Sequence, residues 1–516
     1  MVGTRFAFSH VRVERSNNLG QWMPVVLGLL MVLCMPTMAN AQTVTDSVFY
    51  TFPDRGGTTV LTVGGTATTG VVGYGRIQPG GGTTAPSAYE LLAFRPFTTL
   101  VAETAIPATL PIAAGRTYVE TSPFARTGLA FTNINQTSVG ISFVFTDQNG
   151  NSLAPSSFTL GPLSQTARFI DEFPFNMAGT FTGTLTFTAS APVAAVALRM
   201  TTNLRGEFTL AQLPIVPIVG AATTPLVVSH FADGAGWRTQ LVLVNPTDQT
   251  LNGIIQFFGE GTATVQAGAV TITVNGFAAS EFAYTIPGRS EQRFDTAGTA
   301  AVVQVGSIRL TPSAGSIAPS GFSIFSLTKN GVTVSETTVA AQTASSNFRM
   351  FVDTAITVSP PTVIGNAVVI TNPSPTAATV TFELTTAAGA LFGQGFVSTL
   401  TIPAFGHAAR FLEELFPFQV FPFQGVLRIT AGTSQVIVTG FRTRSNERGD
   451  FLMTTVPVTT ELIPAPIGEL VFPHVVNLGG FTSQFVLFSG TLSQPGLGNV
   501  RFFTQNGQPL ILTFLQ

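Results

Sequence analysis

Residues 65–121 reappear, without a gap, as residues 298–354 at a constant offset of 233. No feature constrains the fold more, because a sequence that repeats at a fixed period builds one structural unit several times over. Arg76-Ile77-Gln78-Pro79 falls on Arg309-Leu310-Thr311-Pro312, and Ala85-Pro86-Ser87 on Ala318-Pro319-Ser320. Val101-Ala102-Glu103-Thr104 falls on Val334-Ser335-Glu336-Thr337. With small insertions the match runs on to Ala167-Arg168-Phe169-Ile170-Asp171-Glu172 against Ala409-Arg410-Phe411-Leu412-Glu413-Glu414. It ends at Arg205-Gly206-Glu207-Phe208 against Arg448-Gly449-Asp450-Phe451. The long repeat is itself double. An opening signature recurs as Tyr118-Val119-Glu120, Phe231-Ala232-Asp233, Phe351-Val352-Asp353 and Val475-Val476-Asn477. One unit is therefore about 115–120 residues, an ordinary domain size.

Each unit reads as strands. Gln240-Leu241-Val242-Leu243-Val244 and Ala367-Val368-Val369-Ile370-Thr371 are apolar, β-branched runs stopped by Asn-Pro. Thr379-Val380-Thr381-Phe382-Glu383-Leu384 alternates with period two, as a half-buried strand does. Asn149-Gly150, Asn330-Gly331 and Asn506-Gly507 mark hairpins that need positive φ. The best helical candidate is the short stretch Arg410–Phe416, before Pro417. About seven strands per unit predict an all-β chain of tandem Ig-like β-sandwich domains. A propeller blade would repeat at roughly 40–50 residues, too short a period. An outer-membrane barrel is the competing reading, but its aromatic girdles are usually Tyr and Trp, and this chain has 5 Tyr and 2 Trp against 45 Phe.

The expected division is a signal peptide at 1–41, a partial β-domain at 42–113, sandwiches at 114–217, 222–345 and 346–460, and a second partial domain at 466–516. Short, Pro-rich and partly apolar linkers predict a semi-rigid rod. Residues 44–113 match the second half of a unit and residues 466–516 only the first half. Half a sandwich leaves strand edges and an apolar face uncovered. A truncated frame or degenerate terminal units would account for this. So would pairing of the two halves, either between molecules as a head-to-tail polymer or within one molecule as a ring.

The leader carries Arg5, Arg12 and Arg15, an apolar stretch from Trp22 to Pro36, and the cleavage pattern Ala39-Asn40-Ala41. The mature chain is expected to start at Gln42, to be extracellular or at the cell surface, with the periplasm as the alternative. No later segment has the roughly 18 uninterrupted apolar residues of a spanning helix, so no transmembrane anchor is expected after cleavage. The single cysteine, Cys34, lies in the leader, and Leu33 before it is not the small residue a lipoprotein signal wants. Past the leader there is no thiolate for catalysis or zinc. Charged residues make up 9% of the chain, and lysine occurs once, as Lys329. With no basic stripe to neutralise phosphates, nucleic acid is not an expected partner.

The conspicuous polar residues sit at repeat-equivalent places, which favours packing over chemistry. His230 and His474 are equivalent, with Thr117 and Met350 in the other two units, and His407 stands alone. Three histidines dispersed over separate units make a poor zinc site. Asp171-Glu172 and Glu413-Glu414 could serve acid–base chemistry. Occurring in two repeats beside Arg168 and Arg410, they read as local ion pairs or turns. Gly80-Gly81-Gly82 lacks the Lys-Ser or Lys-Thr of a phosphate loop. Asp147-Gln148-Asn149-Gly150-Asn151 lacks the closing Glu of an EF-hand and reads as a hairpin tip. Arg448-Gly449-Asp450 spells the integrin-recognition tripeptide and is the one weak binding candidate. Its counterpart Arg205-Gly206-Glu207 points to local turn structure instead. No catalytic residue, cofactor or metal site is expected.

The run from His230 to Pro246 (HFADGAGWRTQLVLVNP) resembles a repeat of large, uncharacterised secreted bacterial proteins with tandem Ig-like β-sandwich domains. Lys329-Asn330-Gly331-Val332 and Ser335-Glu336 are similar to the second half of that repeat. The resemblance is clearest over residues 226–345. It implies export and a repeated β architecture, and no activity. The expectation is thus a non-enzymatic structural or adhesive surface protein with an unknown protein or glycan partner. A carbohydrate-binding or hydrolase-associated exported protein and the membrane barrel are the alternatives.

Overall fold

The computed structural model describes residues 42–515 apart from 66–67, 219–223, 263, 359–360 and 418–421. The expected signal peptide lies outside the described residues. The chain is all-β, and its antiparallel strands pair into two-layer units.

Residues 226–342, here unit B, show the plan. One layer has the order Glu281–Ile286, Leu251–Phe258, Gln304–Pro312, Leu226–Asp233. The other has the order Val332–Gln342, Ser320–Lys329, Trp237–Val244, Glu291–Asp295. The first strand thus lies beside the sixth, whereas in an immunoglobulin domain it borders the second. Each unit has eight principal strands rather than the expected seven. Unit A keeps the same order over residues 112–213, but its sixth and seventh strands are one 22-residue strand, Phe181–Thr202, shared by both layers. Its register shifts between Thr188 and Val193, where it passes from one layer to the other. Unit C spans residues 347–460 in the same order, with a short helix at Leu412–Leu415 inside the stretch predicted to be helical.

The fourth unit is assembled from both ends of the described chain. Ser47–Phe52, Gly496–Thr504, Val71–Pro79 and Leu470–Asn477 form one layer. Gly57–Thr62, Phe481–Phe488, Ser87–Phe94 and Ala102–Pro107 form the other, extended at its edge by Leu512–Leu515 and Gln42–Thr45. We call this the closing unit. The two half-units complete each other, because 42–107 supplies the fourth to eighth strands and 470–504 the first three.

The expectation of a rod is overturned: the units close into a ring. In each unit the layer containing the second, seventh and eighth strands is covered on its outer side by the first strand of the preceding unit. Alternate residues of one strand therefore enter two different cores. Leu241 and Leu243 belong to the core of unit B, while Val242 and Val244 join that of unit A. Val368 and Ile370 lie in the core of unit C, while Ala367 and Val369 join that of unit B. Val486 and Phe488 of the closing unit join unit C, and Ala130 of unit A packs with Leu92 and Val476 of the closing unit. This double burial is why these strands are uninterrupted apolar runs rather than alternating ones.

The Asn that stops each run has its own purpose. The Asn372 side chain is fully buried and donates Nδ2 to the carbonyls of Thr376 and Pro403 at 2.7 and 3.0 Å. Its Oδ1 accepts the Ser374 amide at 3.0 Å. Asn133 and Asn245 repeat the arrangement. Each one locks two loops together between the layers. Asn330-Gly331 has positive φ at both residues, as a two-residue hairpin requires; in Asn149-Gly150 and Asn506-Gly507 only the glycine does.

Asn372→Ala is expected to lower stability by about 2–3 kcal/mol, since it leaves buried carbonyls without donors. The measurement is the denaturant midpoint of residues 42–516.

Candidate functional site

The eighth strands of the four units, Ala102–Pro107, Phe208–Leu213, Val332–Gln342 and Phe451–Val456, meet in a ring around the central axis. Each is the edge of its layer, so its outward backbone groups need partners. Hydroxyls of the neighbouring unit supply them. Ala105 N–H donates to Thr454 Oγ1 at 3.0 Å, Met453 N–H to Ser335 Oγ at 2.9 Å and Thr455 N–H to Thr337 Oγ1 at 2.9 Å. Thr338 Oγ1 donates to the carbonyl of Gln212. The Thr-rich composition at these strands therefore seals edges.

Along the same axis, charges alternate from unit to unit. Unit A carries Arg199 and unit C carries Arg442 on the seventh strand, at the position that Leu92 and Phe325 hold in the closing unit and unit B. Those two units carry glutamates instead, Glu103 and Glu336 on the eighth strand, facing Ala93 and Ser326. Arg442 bonds Glu103 of the closing unit at 3.1 Å and Asp353 of its own unit at 3.0 Å. Arg199 bonds Glu336 of unit B and Glu120 of its own unit. Two further arginines pin the same two junctions. Arg349, fully buried, reaches Glu461 as well as Asp54 at 2.9 Å and Ser489 Oγ at 2.6 Å in the closing unit. Its counterpart Arg116 donates to the Asn245 carbonyl of unit B at 2.6 Å.

The histidines mark the other two junctions. His230 of unit B and His407 of unit C share a hydrogen bond, Nδ1 to Nε2, at 2.8 Å. His407, isolated in the sequence, is thus the partner of a repeat-equivalent residue. At the related junction His474 faces Gln165, which occupies the place of His407, at 3.4 Å. Burial pushes His230 and His474 down to about 4, and burial with the neighbouring His230 and Arg410 pushes His407 well below its ordinary value. All three are neutral near pH 7.

Arg448-Gly449-Asp450 lies in the turn between the last two strands of unit C, and its charges are spent inside the ring. Arg448 holds Glu207 of unit A at 2.6 and 2.9 Å, and Arg205 holds Asp450 at 2.8 Å. The Asp450 side chain is only 5% exposed, so its carboxylate is not presented to a partner. The preference for Arg-Gly-acid comes from the turn itself. Asn446 Oδ1 accepts the amides of Arg448 and Asp450, as Asn203 Oδ1 does for Arg205 and Glu207, and Gly449 and Gly206 take positive φ.

The remaining candidates are also structural. Glu172 and Glu414 accept the amides of Phe169 and Phe411 three residues back. The cation that pairs Asp171 and Glu172 is Arg126, not the adjacent Arg168. Asp147 accepts the amides of Asn149 and Asn151 at a hairpin tip. Burial pushes Glu90 up to about 8 and Glu291 up to about 7. Glu90 sits inside the closing sandwich, bonded to Ser483. Glu291 lies at the junction of units A and B, bonded to Gln148. Among the described residues no group of three or more His, Cys, Asp or Glu side chains could hold a metal.

Two outcomes follow from this geometry. Arg442→Met takes the arginine partner from buried Glu103 and half-buried Asp353 and is expected to cost about 3–5 kcal/mol, measured by chemical denaturation; adding Glu103→Gln should recover part of the loss. A histidine whose folded pKa lies below its unfolded value of about 6.5 stabilises the fold above pH 6.5 and withdraws that stability as pH falls toward 4. His407→Gln, which copies the other junction, should therefore flatten the decline in melting temperature between pH 6.5 and 4.

No protein-family model matches the chain, and no curated protein matches it. Among solved structures it is similar to the dimeric latent PorU of Porphyromonas gingivalis, at 10% identity and a TM-score of 0.13, covering 75% of this chain and 34% of that one. It is also similar to the infectious bursal disease virus VP2 subviral particle, at 9% identity and a TM-score of 0.11, covering 79% and 83%. The chain thus spans about a third of the PorU chain. Neither likeness is close enough to bear on fold or function.

Proposed function

We propose that the chain is an exported, non-enzymatic structural or adhesive protein of the cell surface or extracellular space, built from repeated two-layer β-sandwich units. It would present its outer loops and strand faces to a protein or glycan partner. The observation that carries this reading is the fate of the polar side chains. The histidines, most of the arginines, Asp171, Glu172 and Glu414 and the Arg-Gly-Asp turn are consumed in joining units or tying turns, so most of the conspicuous chemistry of the chain is spent on architecture. A rigid, ring-closed body without disulfides suits a location where no chaperone or thiol chemistry maintains the fold. The barrel alternative is disfavoured by the filled cores of open, two-layer sheets, since a barrel closes one sheet on itself.

Export is tested by expressing the full chain in a bacterium and sequencing the amino terminus of the protein outside the cytoplasm. The expected product begins at Gln42, is reached by added protease in whole cells or is found in the medium, and turns over no ester, peptide or glycoside substrate. Retention in the cytoplasm with residues 1–41 intact, or turnover that purifies with the protein, would overturn the proposal.

A further inference from the structure

The junction between the closing unit and unit A contains a half-open pocket of about 380 Å³, within the roughly 300–1,000 Å³ range of small-molecule sites. Val72, Ala130, Val196, Leu198, Phe208 and Phe481 form an apolar wall, with Arg168 and Glu172 also lining the space. The related junction between units B and C is built from equivalent positions, and there the space is filled. Gly128 replaces Ala367, Ala130 replaces Val369 and Leu198 replaces Phe441. Leu92 replaces Phe325, and Phe481 replaces Trp237. These five exchanges remove volume, and the five larger side chains belong to one continuous core. Two other lining positions gain volume, Met200 for Thr443 and Val476 for Ala232, so the pocket is opened at the five truncated positions, where the fold can accept filling. A Cβ added at Gly128 would meet Phe169 at 3.6 Å, an ordinary contact. A concave, mostly apolar pocket with a few polar groups at its rim is the ordinary form of a small-molecule site.

The lining also supplies a head-group partner. The carboxylate of Glu172 is committed to Arg126 and the Phe169 amide. Arg168 donates to the carbonyl of Ala167 at 2.9 Å and forms no ion pair among the described residues. A guanidinium with free donors beside an apolar hole matches an apolar chain that ends in a carboxylate. We propose that this pocket binds a medium-chain amphiphile with an anionic head, of the fatty-acid class, its tail between Ala130, Leu198 and Phe481 and its carboxylate on Arg168.

The experiment titrates residues 42–516 with decanoate and with decanol in a calorimeter. Decanoate is expected to bind saturably, one per chain, and at least tenfold tighter than decanol. Arg168→Gln, on an exposed side chain, should weaken decanoate about tenfold and leave decanol unchanged. Gly128→Ala with Ala130→Val and Leu198→Phe, the residues of the filled junction, should abolish both while the melting temperature holds or rises. The proposal is overturned by absence of saturable decanoate binding to the unaltered chain, by equal affinity for acid and alcohol, or by Arg168→Gln leaving decanoate affinity unchanged.

Discussion

The backbone ladders that join the two ends of the described chain are the constraint on which the rest of this structure depends. Seven of the eight principal strands of the closing unit are hydrogen-bonded to a strand from the opposite end of the sequence. Thr58 faces Leu487 and Thr51 faces Leu497 in continuous antiparallel register. Once those ladders form, the first strand of unit C has a layer to cover in the closing unit, and the first strand of the closing unit covers unit A. Each junction is head-to-tail, and head-to-tail contacts make either a filament or a ring depending on whether the rotation closes. Here four turns of the same contact close it. Loop-closure entropy grows only slowly with loop length, so joining distant segments is affordable when two whole layers are buried in return.

Closure places four strand edges around one axis, and the axis then determines which side chains can stand there. Edges would aggregate if left open; threonine and serine hydroxyls from the adjoining unit satisfy them. A fourfold arrangement of identical units would bring like charges together. The chain instead alternates arginine units with glutamate units, so that Arg199 meets Glu336 and Arg442 meets Glu103. Buried ion pairs contribute little net stability but penalise wrong partners heavily. The alternation therefore fixes the order of the units more than it strengthens the ring. The remaining two junctions carry the neutral His230–His407 pair and the looser His474–Gln165 contact beside the pocket.

Much of this was legible in the sequence. The 233-residue offset, the strand runs, the Asn stops and the short helix near Arg410 all follow from local pattern, and local pattern is what period and turn chemistry encode. The packing role of His230 and His474 was readable from their equivalence in the repeat. Three things were not. The rod expectation came from short linkers, which say nothing about the angle between units. The informative signal was the unbroken burial code of Gln240–Val244 and Ala367–Thr371, which requires a covering on both faces. The partner of His407 was hidden because its counterpart is Gln165, so no repeat pattern survives at that position. The turn role of Arg448-Gly449-Asp450 was readable from its counterpart Arg205-Gly206-Glu207, but the ions that neutralise it were not, since they come from unit A, more than two hundred residues away in sequence.

The central claim is closure within one molecule, and cysteine cross-linking tests it most directly, since residues 42–516 contain no other cysteine. Thr51 and Leu497 face each other across adjacent strands of the closing unit and are both exposed. The double variant Thr51→Cys, Leu497→Cys should oxidise to a cross-linked monomer whose yield does not depend on protein concentration, with each single variant remaining unlinked. Cross-links that join separate chains, and increase with concentration, would contradict closure and replace the ring with a head-to-tail polymer.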